Sequence, residues 1–68
     1  MDRTYKIIEL VGVSEKSSDE AIRNALAKAA KTVKELSWYQ VVEHRGHISA
    51  GKIQEFQVTI KVGFKIVK

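Results

Sequence analysis

Hydrophobic and polar residues alternate with two different periods along the chain. The segment TYKIIELVGVS, residues 4–14, is rich in β-branched and apolar residues and ends at polar ones, which predicts a first strand. From Ser17 to about Leu36 the period is helical, and Ser17 with Glu20 forms a capping-box pattern at its start. The apolar stripe of this helix is predicted to contain Ile22, Ala25, Leu26, Ala29, Val33 and Leu36.

Two further strands close the chain, from about Ser37 to Ile48 and from about Lys52 to Ile66. The SAGK segment between them predicts a turn, because Gly51 is free to adopt a positive φ. In the last strand one face is apolar and is predicted to be core, namely Phe56, Val58, Ile60, Val62, Phe64 and Ile66. The other face is largely polar: Glu55, Gln57, Thr59, Lys61, Gly63 and Lys65.

The element order β-α-β-β predicts an α+β fold, with a three-stranded antiparallel sheet packed on one helix. A crossover through the helix makes the first two strands parallel in direction, and a hairpin reverses the third. The simplest sheet therefore has the third strand in the middle. One helix covers only one face of such a sheet, so the other face is left uncovered in a monomer.

The uncovered face carries the candidate chemistry. A tight hairpin at Ala50–Gly51 pairs even positions of the second strand with odd positions of the third. That places Trp38, Gln40, Val42 and His44 beside Gln57, Thr59, Lys61, Gly63 and Lys65. Tryptophan is a stacking platform, and a carboxamide both donates and accepts hydrogen bonds. The combination favours a planar, hydrogen-bonding aromatic ligand, and the cations suit a phosphate on it.

Length and composition narrow the function. The chain has 68 residues, no cysteine and a net charge of +4. This predicts a single domain without disulfides or thiolate metal sites, which needs self-association or a cofactor for stability. No apolar run approaches a membrane span and no signal-peptide pattern opens the chain, so we expect a cytoplasmic protein. His44 and His47 point to opposite strand faces, so no metal site is predicted, and no enzyme motif is found.

The chain resembles the dodecins, a family of small flavin-binding proteins, over nearly all of residues 1–68. The matching stretches are YKIIELVGVS (5–14), SSDEAIRNALAKAAKTVKELSWYQV (17–41), RGHI (45–48) and EFQVTIKVGFK (55–65). The resemblance implies one β-α-β-β domain that assembles into a hollow homododecamer. It also implies non-enzymatic binding, storage and photoprotective sequestration of a flavin, FMN or riboflavin, at the subunit contacts.

The resemblance also implies roles for particular residues. The family tryptophan that stacks on the flavin falls at Trp38, and the glutamine that hydrogen-bonds its edge falls at Gln57. Arg45 and Lys65 match basic positions near the flavin pocket, and Lys6 and Lys28 match basic residues that hold coenzyme A in some members.

Three positions depart from the simple pattern. Strict alternation places Arg45 on the face opposite Trp38, so either a bulge at Gly46 re-aims it or it reaches a neighbouring subunit's pocket. Lys65 is often arginine in relatives, and lysine lacks the arginine fork that binds phosphate in two places. His44 stands where relatives commonly have an apolar residue, and in the pocket it would make binding pH-sensitive.

Two alternative functions remain open from the sequence. The uncovered face, with one aromatic residue and several cations, also fits a nucleic-acid-binding module, although RNA-reading sheets usually carry two or more aromatics. A storage shell for coenzyme A, in which flavin is incidental, is the other alternative.

Overall fold

The three strands form one antiparallel sheet with a single helix on one face. The computed structural model describes residues 3–66. Its elements are β1 (Tyr5–Ser14), α1 (Ser18–Ala30), β2 (Leu36–Ser49) and β3 (Lys52–Lys65). The strand order is β1-β3-β2, with β3 antiparallel to both neighbours. The predicted α+β fold and the central position of the last strand are therefore confirmed.

Helix α1 begins where the capping pattern predicts. Ser17 is the N-cap, and its Oγ accepts a hydrogen bond of 3.0 Å from the Glu20 amide. Asp19 and Glu20 lie in the first turn, where the helix dipole favours negative charge. Within the described residues 3–66, α1 is too short to cross a membrane.

The predicted end of the helix at Leu36 is wrong, because α1 ends at Ala30 and Lys31 is its C-cap. The Thr32 and Val33 amides both donate to the Ala29 carbonyl, which closes the last turn. These two residues are β-branched and have low helix propensity. Glu35 then adopts a left-handed φ of 64°, which reverses the chain into β2.

The core is small and lies between α1 and the inner face of β1 and β3. Its buried hydrophobic members are Ala21, Ala25, Ala29, Val58, Ile60 and Val62. Three of the six are alanines, so the helix approaches the sheet closely. At Gly12 a Cβ would overlap the Ala21 carbonyl oxygen and lie 3.1 Å from the Ala25 Cβ. The absence of a side chain at Gly12 therefore allows α1 to approach β1 closely.

The hairpin of β2 and β3 is long, and its register shifts at three places. The chain spans 52 Å along its longest axis. The shifts lie between Leu36 and Trp38, between Val41 and Glu43, where Val42 has no partner, and between His47 and Ile48, where Gln54 of β3 has none. The bulges at Val42 and Gln54 lie on opposite strands. The pairing from Trp38 to Val41 and at Ile48 and Ser49 therefore agrees with the predicted even-to-odd register, whereas the stretch between these two bulges and the pair of Leu36 with Phe64 do not.

The turn of the hairpin is a two-residue loop. Ser49 pairs with Lys52, and the loop residues Ala50 and Gly51 have φ values of 52° and 76°. Positive φ at both loop residues is the mark of a type I′ turn, which matches the twist of the strands. Alanine is poorly suited to the first position, because its Cβ is crowded in the left-handed region.

Replacing Ala50 with asparagine should stabilise the protein. Asparagine tolerates the left-handed region and would create the Asn-Gly pair that type I′ turns favour. We expect Ala50→Asn to raise the free energy of unfolding by about 0.5–1 kcal/mol per chain. Thermal unfolding at a fixed protein concentration would measure it. Ser49→Asn is the matched control, because Ser49 lies in the strand at negative φ, and an equal gain there would contradict the turn argument.

Candidate functional site

The face of the sheet that points away from α1 is the open face. By the strand register it carries the following residues: Tyr5, Ile7, Glu9, Val11 and Val13 of β1, Trp38, Gln40, Glu43, Arg45, His47 and Ser49 of β2, and Lys52, Glu55, Gln57, Thr59, Lys61, Gly63 and Lys65 of β3. Its apolar side chains are far from buried, with Ile7 52%, Val11 55% and Trp38 42% exposed. A chain that leaves this much apolar surface uncovered is suited to binding a ligand or a second chain.

Trp38 lies directly over Gly63 on the open face. The two residues are register partners, and a Cβ built at Gly63 would overlap Cε2 and Cζ2 of the indole and lie 2.8 Å from Nε1. Gly63 is itself buried beneath the ring. The missing side chain therefore provides the space in which the indole lies against the strand, and the rest of the indole stays accessible as a stacking platform.

The bulge at Val42 decides which residues of β2 join Trp38 on the open face. Trp38 and Gln40 lie there as predicted, but past the bulge the alternation is reversed. His44 pairs with Val58 and lies on the helix side, so the prediction that it shares the face of Trp38 is wrong. Arg45 pairs with Gln57 and lies on the open face, so the placement from strict alternation is wrong as well.

The bulge lies at Val42 and not at Gly46, the position considered in the sequence. The ladder passes through Gly46, opposite Phe56, without a register shift. A Cβ at Gly46 would lie 2.8 Å from the Glu55 carbonyl oxygen, so Gly46 allows close backbone approach there. The residue that turns Arg45 toward the open face is Val42, which lies four positions before Gly46.

Four polar side chains form a connected group around Gln57. The Arg45 Nε donates to Gln57 Oε1 at 2.9 Å, and Gln57 Nε2 donates to Glu55 Oε2 at 2.7 Å. The Arg45 guanidinium also lies 3.8 Å from a carboxylate oxygen of Glu43. Glu43 and Glu55 were not among the predicted site residues. The signal that could have found Glu55 is its two-residue spacing from Gln57, which places both on one strand face.

The predicted flavin-site residues fall into two separate groups. Lys65 is two residues from Gly63 on β3 and so lies at the Trp38 end of the open face, whereas Arg45 lies at the Gln57 end. Gly63 and Gln57 are six residues apart on one strand, which corresponds to about 20 Å at a rise of about 3.3 Å per residue. Trp38 and Gln57 of one chain are therefore too far apart to contact the same small aromatic ring system.

The charges on the open face are nearly balanced. Its cations are Arg45, Lys52, Lys61 and Lys65, and its anions are Glu9, Glu43 and Glu55. A surface that binds nucleic acid usually carries a clear positive excess, because phosphate contacts dominate its affinity. The distribution of charge on this face thus gives no support to the nucleic-acid alternative.

The two lysines predicted to hold coenzyme A do not line one cavity. Lys28, together with Lys31, lines a groove between α1 and β1 of about 570 Å³. Lys6 pairs with Phe64 near the start of β1 and is not among the residues that line this groove. Their role in binding coenzyme A stays a prediction.

The two histidines lie on opposite faces of β2. Within residues 3–66 no cluster of three or more histidine, cysteine or acidic residues is arranged to hold a metal ion. His44 lines a shallow cavity of about 250 Å³ on the helix side of the hairpin, together with Ile48, Ile53 and Phe56. His47 lies on the open face opposite Glu55.

Comparison with known proteins identifies the family to which this arrangement belongs. The Dodecin family model matches residues 4–67. This chain belongs to the dodecin family. It is 46% identical over 66 residues to the dodecin of Thermus thermophilus, which covers 97% of this chain and 96% of that protein. The resemblance drawn from the sequence is therefore confirmed.

Solved dodecin structures share the fold. The dodecin of Streptomyces coelicolor matches with a TM-score of 0.94 and 37% identity, over 98% of this chain and 96% of that one. The dodecin of Streptomyces davaonensis matches with a TM-score of 0.94 and 41% identity over the whole of both chains. The β-α-β-β fold with its three-stranded sheet is thus that of the dodecin family.

Replacing Gly63 with alanine should displace the indole of Trp38. The added methyl group would occupy the space that the ring now fills, and the ring is more easily moved than the central strand. Because Trp38 is the only tryptophan, its fluorescence reports the change directly. We expect the emission maximum of Gly63→Ala to shift to longer wavelength. Thr59→Ala, on the same face of β3, is the control, and an unchanged spectrum of Gly63→Ala would contradict the packing.

Proposed function

We propose that this protein binds a flavin, FMN or riboflavin, without catalysing a reaction, and stores and shields it within a homododecamer. The observation that carries the proposal is the indole of Trp38 lying over Gly63 on a sheet face that nothing in residues 3–66 covers. Membership of the dodecin family supports it.

The chemistry of the open face suits an isoalloxazine ring. The ring is flat and aromatic, so it stacks on an indole, and the pyrimidine part of its edge alternates carbonyl groups with one N–H. The carboxamide of Gln57 offers both a donor and an acceptor to such an edge. Lys65 lies near the stacking platform, where its ammonium would attract the phosphate of FMN.

The separation of Trp38 from Gln57 supports a site that two chains share. A ligand that stacks on one chain's Trp38 cannot reach that chain's Gln57 about 20 Å away along β3. A second chain that packs its open face against the first would bring its own Gln57 to the ligand. The same contact would cover Ile7 and Val11, whose exposure is 52% and 55%.

Storage and photoprotection follow from the stacking contact. An indole in contact with a photoexcited flavin transfers an electron to it and recovers the electron quickly, which returns the flavin to its ground state. The bound flavin loses its fluorescence and its access to water. Binding is therefore followed directly by the quenching of flavin emission.

Replacing Trp38 with alanine should weaken flavin binding. Loss of a stacked aromatic is expected to cost about 1–3 kcal/mol, as for bases stacked on aromatic side chains. Fluorescence titration of riboflavin and of FMN with the purified protein would measure it. Preference of the wild-type protein for FMN would support a phosphate contact with Lys65.

Tyr39→Ala is the matched control for this experiment. Tyr39 is the adjacent aromatic residue, but it pairs with Val62 on the helix side of the sheet. We expect its affinity for flavin to stay close to that of the wild-type protein. Equal affinities of Trp38→Ala and wild type would contradict the stacking role.

Mixing two defective variants should restore part of the flavin binding. Trp38→Ala chains keep Gln57, and Gln57→Ala chains keep Trp38, so a site shared between chains can be complete in a mixed assembly. With random mixing in equal amounts, about a quarter of the sites would have both residues. A fluorescence titration of the protein refolded from the mixture would count them.

The outcome separates a shared site from a site within one chain. If a single chain supplied both residues, the mixture would bind no better than the two variants measured apart. Light scattering on the wild-type protein tests the assembly itself, and a mass near twelve times the subunit mass of 7.7 kDa is expected. A stable monomer or dimer would contradict the dodecamer.

A further inference from the structure

We propose that Glu55 and Arg45 are positioning residues that fix the orientation of the Gln57 carboxamide, and so determine which hydrogen-bonding edge the site accepts. The inference rests on the proposed flavin site, because it assigns the specificity of that site. It also gives Arg45 a role different from phosphate binding.

The two hydrogen bonds of Gln57 are the starting observation. Its Oε1 accepts from Arg45 Nε at 2.9 Å, and its Nε2 donates to Glu55 Oε2 at 2.7 Å. Gln57 and Glu55 are partly buried, and the Arg45 side chain is 60% exposed. Both polar ends of the carboxamide are thus held by charged groups of the same chain.

The charges make only one orientation of the carboxamide favourable. If the group turned over, its NH₂ would face the N–H of Arg45, and its oxygen would face the carboxylate of Glu55. Two donors would then face each other at one end and two acceptors at the other. Hydrogen bonds to ionised groups are stronger than those between neutral groups, so two such bonds together oppose the reversal.

The Val42 bulge and the residue spacing on β3 bring Arg45, Glu55 and Gln57 together. Glu55 and Gln57 share a face of β3 because they are two residues apart. Arg45 faces Gln57 because of the Val42 bulge. Without that bulge, His44 would take the place beside Gln57, and the carboxamide oxygen would lose its guanidinium partner.

The fixed carboxamide still has capacity for a ligand. Its oxygen keeps a second lone pair, and its nitrogen keeps a second N–H. These two groups are offered in a set order, with the acceptor on the Arg45 side and the donor on the Glu55 side. The matching ligand edge has an N–H next to a carbonyl, as in the N3–H of an isoalloxazine and the carbonyl beside it.

A ligand that lacks this N–H is therefore the probe of the inference. N3-methylriboflavin has the same aromatic rings and stacks on an indole in the same way, but it cannot donate at N3. The quantity to measure is the ratio of its dissociation constant to that of riboflavin. A fixed Gln57 carboxamide should make this ratio at least about tenfold in the wild-type protein.

The experiment compares this ratio among variants by fluorescence titration. We expect Glu55→Ala to lower the ratio several-fold, because the carboxamide is then free to turn its oxygen away from the N-methyl group. Glu55→Gln should keep most of the wild-type ratio of dissociation constants, since an amide oxygen still accepts from Gln57 Nε2. Glu9→Ala is the matched control, because it removes a carboxylate from the same face at a site opposite Lys61.

The Gln57→Ala background tests whether Glu55 acts through Gln57. In that background the ratio should already be low, and adding Glu55→Ala should leave it unchanged. A further change there would mean that Glu55 meets the ligand directly, which would overturn the positioning role.

Other results would also overturn the inference. If Glu55→Ala weakened both ligands equally, Glu55 would support only the structure. If Glu55→Ala left both affinities unchanged, it would have no role in the site. Failure of the wild-type protein to bind riboflavin would overturn the proposed function, and this inference with it. A normal riboflavin affinity with an unaltered ratio in Glu55→Ala would overturn the inference alone.

Discussion

In residues 3–66 a single 13-residue helix covers only the β1 and β3 part of one face of a three-stranded sheet, and the other features of the molecule depend on this limited coverage. The buried hydrophobic side chains of these residues are three small ones on the helix and three on β3. The rest of the apolar surface, including Ile7, Val11 and Trp38, stays exposed in the isolated chain. Such a chain gains most of its further stability from partners or ligands rather than from its own core.

Two local departures from a regular sheet give the uncovered face its chemistry. Gly63 removes one side chain from the central strand, and the indole of Trp38 occupies the space. Val42 adds one residue to the edge strand, which places Arg45 beside Gln57 and moves His44 to the helix side. Both changes lie on the β2–β3 hairpin. A single hairpin therefore carries the stacking platform of Trp38 at one end. Toward the other end it carries the carboxamide of Gln57, which is hydrogen-bonded to the charged side chains of Arg45 and Glu55.

Much of the fold could be predicted from the sequence because it depends on strong periodic signals. The alternation of β3 and the cap at Ser17 both hold in the structure. The end of α1 was misplaced because Val33 and Leu36 continue the apolar spacing after the backbone has left the helix. The Val42 bulge could not be predicted, since an inserted residue leaves the residue types of β2 unchanged and reverses only which face they occupy. The face of Arg45 and His44 depends entirely on that reversal.

The distance between Trp38 and Gln57 links ligand binding to assembly. If the two residues act on one flavin, they come from different chains, and neither chain alone offers a complete site. The ligand would then bind only the associated state and stabilise it by mass action. The partner chain would in turn cover the exposed apolar residues of β1, which lie on the face opposite the helix. A second copy of the open face would thus both cover this apolar surface and complete the divided site.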